Sequence, residues 1–124
     1  YNYRLPNINA ALALTQLEQI DQKILSKKKL YNFYEENLSD LGFELISIPH
    51  DTSWNYWLMS INLSNRRERD DFLKETNKQN IFTRPVWKLL YKLPMYSDCQ
   101  RDAQLNAELL EKRVVNIPSN IKLG

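Results

Sequence analysis

The sequence predicts an α+β fold: a long N-terminal helix plus a small, mostly antiparallel sheet covered by helices. Three observations predict it. Apolar residues recur at three- and four-residue steps through the first third of the chain. Short runs rich in aliphatic and aromatic residues follow, several of them stopped by a proline. Two further helical patterns separate those runs, giving the order helix, two strands, helix, strand, helix, strand.

The first element is a helix over 8–39. Pro6 precedes Asn7, a residue suited to the N-cap. Ala10, Leu14, Leu17, Ile20, Ile24, Tyr31, Tyr34, Leu38 and Leu41 then form one stripe, and Gly42 ends it. A helix of about thirty residues is about 45 Å long. That is long beside the radius of gyration near ~14 Å expected for a chain of this size, so the helix calls for a partner surface beyond this chain. Phe43 to Ile48 reads as a strand stopped by Pro49, and Trp54 to Leu63 as a second. One face of the second strand, Trp57, Met59, Ile61 and Leu63, is wholly apolar; the other, with Trp54, Tyr56, Leu58, Ser60 and Asn62, is mixed. Asn65 and Glu68 have capping-box spacing for a second helix that turns Phe72 and Leu73 inward. Ile81 to Val86 is a third strand, and Pro85 puts its end at a sheet edge. Leu89 to Gln100 reads as loop or short turns. Asp102 can cap a third helix with Leu105, Leu109 and Leu110 inside, and Val114, Val115 and Ile117 form a last strand before Pro118.

Composition narrows the function classes. The chain has 124 residues, 43% hydrophobic and 26% charged, an ordinary balance for one folded domain. No run approaches the ~20 apolar residues of a membrane span, and a net charge of +2 gives no ground for a nucleic-acid partner. Lys27, Lys28 and Lys29 read as a solvated helix face. The single Cys99 forms no internal disulfide and reads as a small buried filler, in keeping with a cytoplasmic location. Two glycines leave no glycine-rich phosphate loop. His50 stands alone in a turn, and no cluster of metal ligands accompanies it. No residue is assigned a catalytic role.

Two segments carry more chemistry. Tyr1-Asn2-Tyr3-Arg4-Leu5-Pro6-Asn7-Ile8-Asn9 places amides, aromatics and an arginine ahead of a helix N-terminus, and both arginine and helix N-termini suit phosphate groups. Thr83-Arg84-Pro85-Val86-Trp87, continuing to Tyr91, Pro94 and Tyr96, sets one guanidinium among aromatic faces, which suits a nucleotide base or a sugar ring. From the residues alone, both segments also fit exposed loops packed by their own aromatics.

The first of these segments, continued through Ala10-Ala11-Leu12 and Gln16-Leu17-Glu18, resembles the hallmark of the DegT/DnrJ/StrS sugar aminotransferases. Asn55-Tyr56-Trp57-Leu58, the Thr83 to Trp87 segment with Leu93-Pro94-Met95-Tyr96, and the closing Arg113-Val114-Val115-Asn116-Ile117-Pro118-Ser119 are similar to the branch making 4-amino sugars of the legionaminic and perosamine kind. The resemblance covers the whole chain in order. It implies the small C-terminal domain of a fold-type I enzyme dependent on pyridoxal phosphate, with residues 1–40 as the interdomain motif and long helix. The large cofactor domain and its catalytic lysine are then expected upstream of residue 1, and the chain alone is expected to be inactive and not to hold the cofactor.

The resemblance also implies roles. Asn2 corresponds to an asparagine that reaches the cofactor phosphate of the other subunit in a homodimer. Arg4 corresponds to an arginine near that interface that orients the loop or meets the substrate diphosphate. Arg84, Trp87 and Tyr91 correspond to positions lining the sugar-nucleotide cleft, although many relatives carry histidine where this chain has Tyr91, and tyrosine carries no positive charge at neutral pH. The implied reaction moves an amino group from glutamate to a nucleotide-linked 4-keto-6-deoxy sugar for cell-surface polysaccharide. The alternative is a non-catalytic α+β interaction or regulatory module.

Overall fold

The computed structural model describes residues 4–121. Two helices, α1 (Asn7–Glu18) and α2 (Ile20–Asp40), open the chain. Strands β1 (Glu44–Leu45) and β2 (Met59–Asn62) follow, then helix α3 (Arg66–Lys78), strand β3 (Arg84–Pro85), helix α4 (Leu105–Arg113) and strand β4 (Val114–Ile117). The strands form one sheet in the order β1-β2-β4-β3, and every neighbouring pair is antiparallel. The α+β architecture read from the sequence is the one observed.

The long helix runs in two segments. At Gln19 (φ −106°, ψ 1°) the backbone leaves the helical region, and its N–H turns back to the carbonyls of Gln16 and Leu17. Neither proline nor glycine stands there, and nothing in the local sequence explains the break. The helix starts one residue earlier than Asn7 capping requires. Pro6 takes the cap position, because its ring fixes φ at −58° and its carbonyl accepts from Ala10 N–H at 3.0 Å. At α3 the cap forms as expected on one side, Asn65 Oδ1 accepting from Glu68 N–H at 3.0 Å, while Glu68 Oε2 accepts from Ser64 N–H at 3.0 Å, one residue before the N-cap. Asp102 does not cap α4. Gln104, in a left-handed conformation (φ 50°), takes that place, and Asp102 Oδ1 instead accepts from Gln104 N–H at 2.9 Å in a local turn.

Pairing joins Met59 to Ile117 and Ile61 to Val115, so these four side chains share one face. With Leu63 and Tyr31 they form the core, and Leu30, Tyr34 and Leu38 of α2 and Phe72 and Leu73 of α3 pack against it. Burying one such aliphatic side chain contributes about 1.5–3 kcal/mol. The expected apolar face of the second strand is right for Met59, Ile61 and Leu63 and wrong for Trp57, which is 65% exposed. Tyr56 adopts φ 55°, which interrupts the alternation. Trp54 and Tyr56 thereby fall onto the core, their ring centroids 5.3 and 5.6 Å from that of Tyr31, and Trp57 turns outward. Leu105, Leu109 and Leu110 are also exposed rather than inside, since α4 turns Ala107, Glu108 and Glu111 inward. Cys99 is exposed too, in the surface loop that follows two short 3-10 turns, Leu90–Lys92 and Pro94–Tyr96.

Candidate functional site

The outer face of the sheet carries a row of polar side chains. Ser60 pairs with Asn116, and Asn116 pairs with Arg84, so three polar side chains cross β2, β4 and β3 in one row. Ser60 Oγ donates to Asn116 Oδ1 at 2.7 Å, which fixes the Asn116 amide. At the β3 end this row opens into a groove of about 1120 Å³, whose lining includes Arg84, Asn116, Asn80, Phe82, Trp87 and Asn120.

Local chemistry holds β3 in place. Asn80 (φ 61°) turns the chain out of α3, and Ile81 N–H reaches back to Thr76 carbonyl at 2.9 Å. Asparagine tolerates this left-handed conformation better than most residues. Thr83, only 4% exposed, is pinned under the strand: its Oγ1 shares a 2.6 Å hydrogen bond with Thr76 Oγ1, and Asn77 Nδ2 donates to its carbonyl at 3.0 Å. With Thr83 held inward, Arg84 stands on the outer face beside Asn116. Phe82 and Trp87 remain 71% and 69% exposed at the groove. Among the described residues no carboxylate pairs with Arg84. A guanidinium among carboxamides and exposed aromatic faces can bind an anion such as a phosphate and stack a planar or sugar ring.

The structure brings Arg84 and Trp87 together, as the sequence suggested. It does not bring Tyr91 to them. Tyr91 lies in the first 3-10 turn, where its hydroxyl donates to Glu108 and the Arg101 guanidinium sits 4.7 Å from its ring centroid. That hydrogen bond, then burial and the charges of Glu108 and Glu111, push the phenol pKa up to about 12. The same bond, opposed by burial and aided by Lys112 and Lys92, draws the Glu108 pKa down. Arg4 is exposed ahead of α1 and is not among the residues that line the groove. Asn2 lies outside the described residues. Phe82, Asn80 and Asn120 were not singled out in the sequence. Asn116 belongs to the closing Arg113 to Ser119 segment, and its pairing with Arg84 is a property of strand register that no local pattern announces.

A second hollow, about 420 Å³, is rich in cations but largely self-satisfied. Arg69 pairs with Asp70, Lys92 with Glu111, and Lys112 with Glu108. Among the described residues no group of three His, Cys, Asp or Glu side chains could hold a metal ion, and no helix is long and apolar enough to cross a membrane.

A family model for the DegT/DnrJ/EryC1/StrS aminotransferases matches residues 1–124. The chain belongs to this family. A GDP-perosamine synthase of Escherichia coli O157:H7 is 35% identical over 119 residues, covering 96% of this chain and 32% of the relative. EpsN of Bacillus subtilis, provisionally named a pyridoxal phosphate-dependent aminotransferase, is 29% identical over 124 residues, covering 96% of this chain and 32% of its own length. The solved DegT DnrJ EryC1 StrS aminotransferase from Brucella abortus superimposes with a TM-score of 0.83 at 22% identity, over 98% of this chain and 32% of that one, and so shares the fold. The chain thus spans about a third of the length of the curated relatives it matches, 32% for both named here. No lysine lines the groove, so the described residues offer no amine placed there for a covalent link to pyridoxal phosphate.

Proposed function

We propose that this chain is the C-terminal small domain of a cytoplasmic, homodimeric aminotransferase that transfers an amino group from glutamate to a GDP-linked 4-keto-6-deoxy sugar for cell-surface polysaccharide. The observation that carries the reading is the groove at the β3 edge. It holds Arg84 beside Asn116, with Phe82 and Trp87 exposed at its rim, on a chain of the sugar aminotransferase family. The name of the Escherichia coli relative supports a GDP-linked substrate.

Pyridoxal phosphate, when bound to the full protein, supplies the electron sink for amino transfer. The residues of this chain bind and orient. Arg84 meets the diphosphate of the nucleotide sugar, and its fixed fork of donors sets the direction in which the sugar points. Trp87 and Phe82 give apolar faces to the base or sugar ring, while Asn116, Asn80 and Asn120 donate and accept at hydroxyls and base edges. Asn2 would meet the cofactor phosphate across the dimer, and Arg4 would orient that loop or meet the substrate diphosphate. The catalytic lysine lies upstream of residue 1, so the chain alone is inactive. The test loads the complete gene product with pyridoxal phosphate and adds glutamate. A visible cofactor band that moves to shorter wavelength supports the reading, whereas a protein that takes up no cofactor after reconstitution contradicts it.

A further inference from the structure

Lys27 departs from the solvated face expected of the Lys27–Lys29 run. Lys28 and Lys29 are exposed, but Lys27 is half-buried, and its Nζ donates to Ser119 carbonyl at 2.7 Å and lies 3.5 Å from Trp57 carbonyl. Trp57 and Ser119 would be the next partners in the β2–β4 ladder, two residues beyond Met59 and Ile117. The ladder cannot continue regularly, because Pro118 has no N–H and Tyr56 has left the extended region. Three side chains take over where it stops. Lys27 gathers the two carbonyls, Ser119 Oγ donates to Trp57 carbonyl at 2.8 Å, and Tyr34 Oη donates to Pro118 carbonyl at 2.8 Å. The two strands so clamped carry Leu58, Pro118, Ser119 and Asn120, which line the groove together with Arg84.

We propose that Lys27 is a positioning residue for this groove: by holding the carbonyls of Trp57 and Ser119 it sets the wall against which the ligand lies, and so the affinity for that ligand. The ligand assignment rests on the function proposed above; the clamp itself rests on the geometry. Partial burial, which lowers the lysine pKa, fits an ammonium held by carbonyls rather than by water. Lysine suits the task because three donors on one nitrogen can serve two acceptors at once.

The test uses the complete gene product loaded with pyridoxal phosphate and labelled with 5-fluorotryptophan. Signals of Trp54, Trp57 and Trp87 are assigned by single Trp→Phe variants, and GDP is the binding probe. Lys27→Met is expected to shift or broaden the Trp57 signal, leave the core Trp54 signal in place, and raise the Kd for GDP about tenfold, equivalent to about 1.4 kcal/mol. Lys27→Arg is expected to recover both readouts. An unmoved Trp57 signal, equal movement of Trp54, or unchanged GDP affinity in Lys27→Met overturns the proposal. If the unaltered protein does not bind GDP, the ligand assignment falls, and the fluorine signals alone decide whether Lys27 sets the wall.

Discussion

Single side chains decide more of this molecule than their neighbours suggest. The Asn65 side chain caps α3, so Asn65→Ala should destabilise the protein by about 1 kcal/mol, read from the denaturant midpoint. Ile61 is fully buried between β1 and β4, and Ile61→Ala should cost about 2–5 kcal/mol in the same measurement. The Tyr91–Glu108 bond predicts a pH dependence. Tyr91 is raised, so its contribution is present below the ordinary tyrosine value of 10.0 and is lost as pH rises through about 12. Glu108 is lowered, so its contribution is present above the ordinary glutamate value and is lost as pH falls through the depressed one. Phenolate absorbance, with Tyr91→Phe as the subtraction, should show a midpoint near 12 that drops toward 10.0 in Glu108→Gln; an unmoved midpoint would refute the pairing. At this scale the sequence was legible where the chemistry is local. The cap of α3 could be read from Asn65 and Glu68. The outward turn of Trp57 could not, since a positive φ at Tyr56 is a decision of the tertiary structure. Nor could the role of Lys27, whose partners lie 30 and 92 residues away.

Among the elements, α1 is exposed along its whole length except at Ala10. Leu12, Leu14, Leu17 and Ile20 lie exposed on the first two helices. Apolar stripes of this kind seek cover. The chain studied by itself is therefore expected to self-associate, with sedimentation velocity showing a mass that rises with concentration. Leu14→Lys combined with Leu17→Lys should return it to a monomer, and a wild-type chain that stays monomeric at high concentration would count against the stripe. Periodicity located the long helix and its stripe. It did not foresee the break at Gln19 or the outward face of α4, because a 3.6-residue repeat reports that one face is apolar and not what that face meets. The strands are shorter than the apolar runs for a related reason. Apolar runs continue past the paired residues, as at Phe43 and Leu63, where side chains still pack on the core after the ladder has ended.

For the whole molecule, element order and class followed from pattern, and sheet order did not. The arrangement β1-β2-β4-β3 places the last strand of the chain between β2 and β3, and that insertion creates the Ser60–Asn116–Arg84 row and the groove beside it. Arg84 and Trp87 were visible as chemistry in the sequence, whereas Asn116 and Asn120 reach the groove only through this long-range pairing. The most direct test is amino transfer by the complete gene product, with pyridoxal phosphate, glutamate and a GDP-linked 4-keto-6-deoxy sugar, comparing the unaltered protein with Arg84→Ala. The expected result is an aminated sugar nucleotide, with KM raised about tenfold or more in Arg84→Ala at unchanged thermal stability. No aminated product from the unaltered protein, or an Arg84→Ala variant with the same KM, would contradict the placement of the nucleotide sugar in this groove.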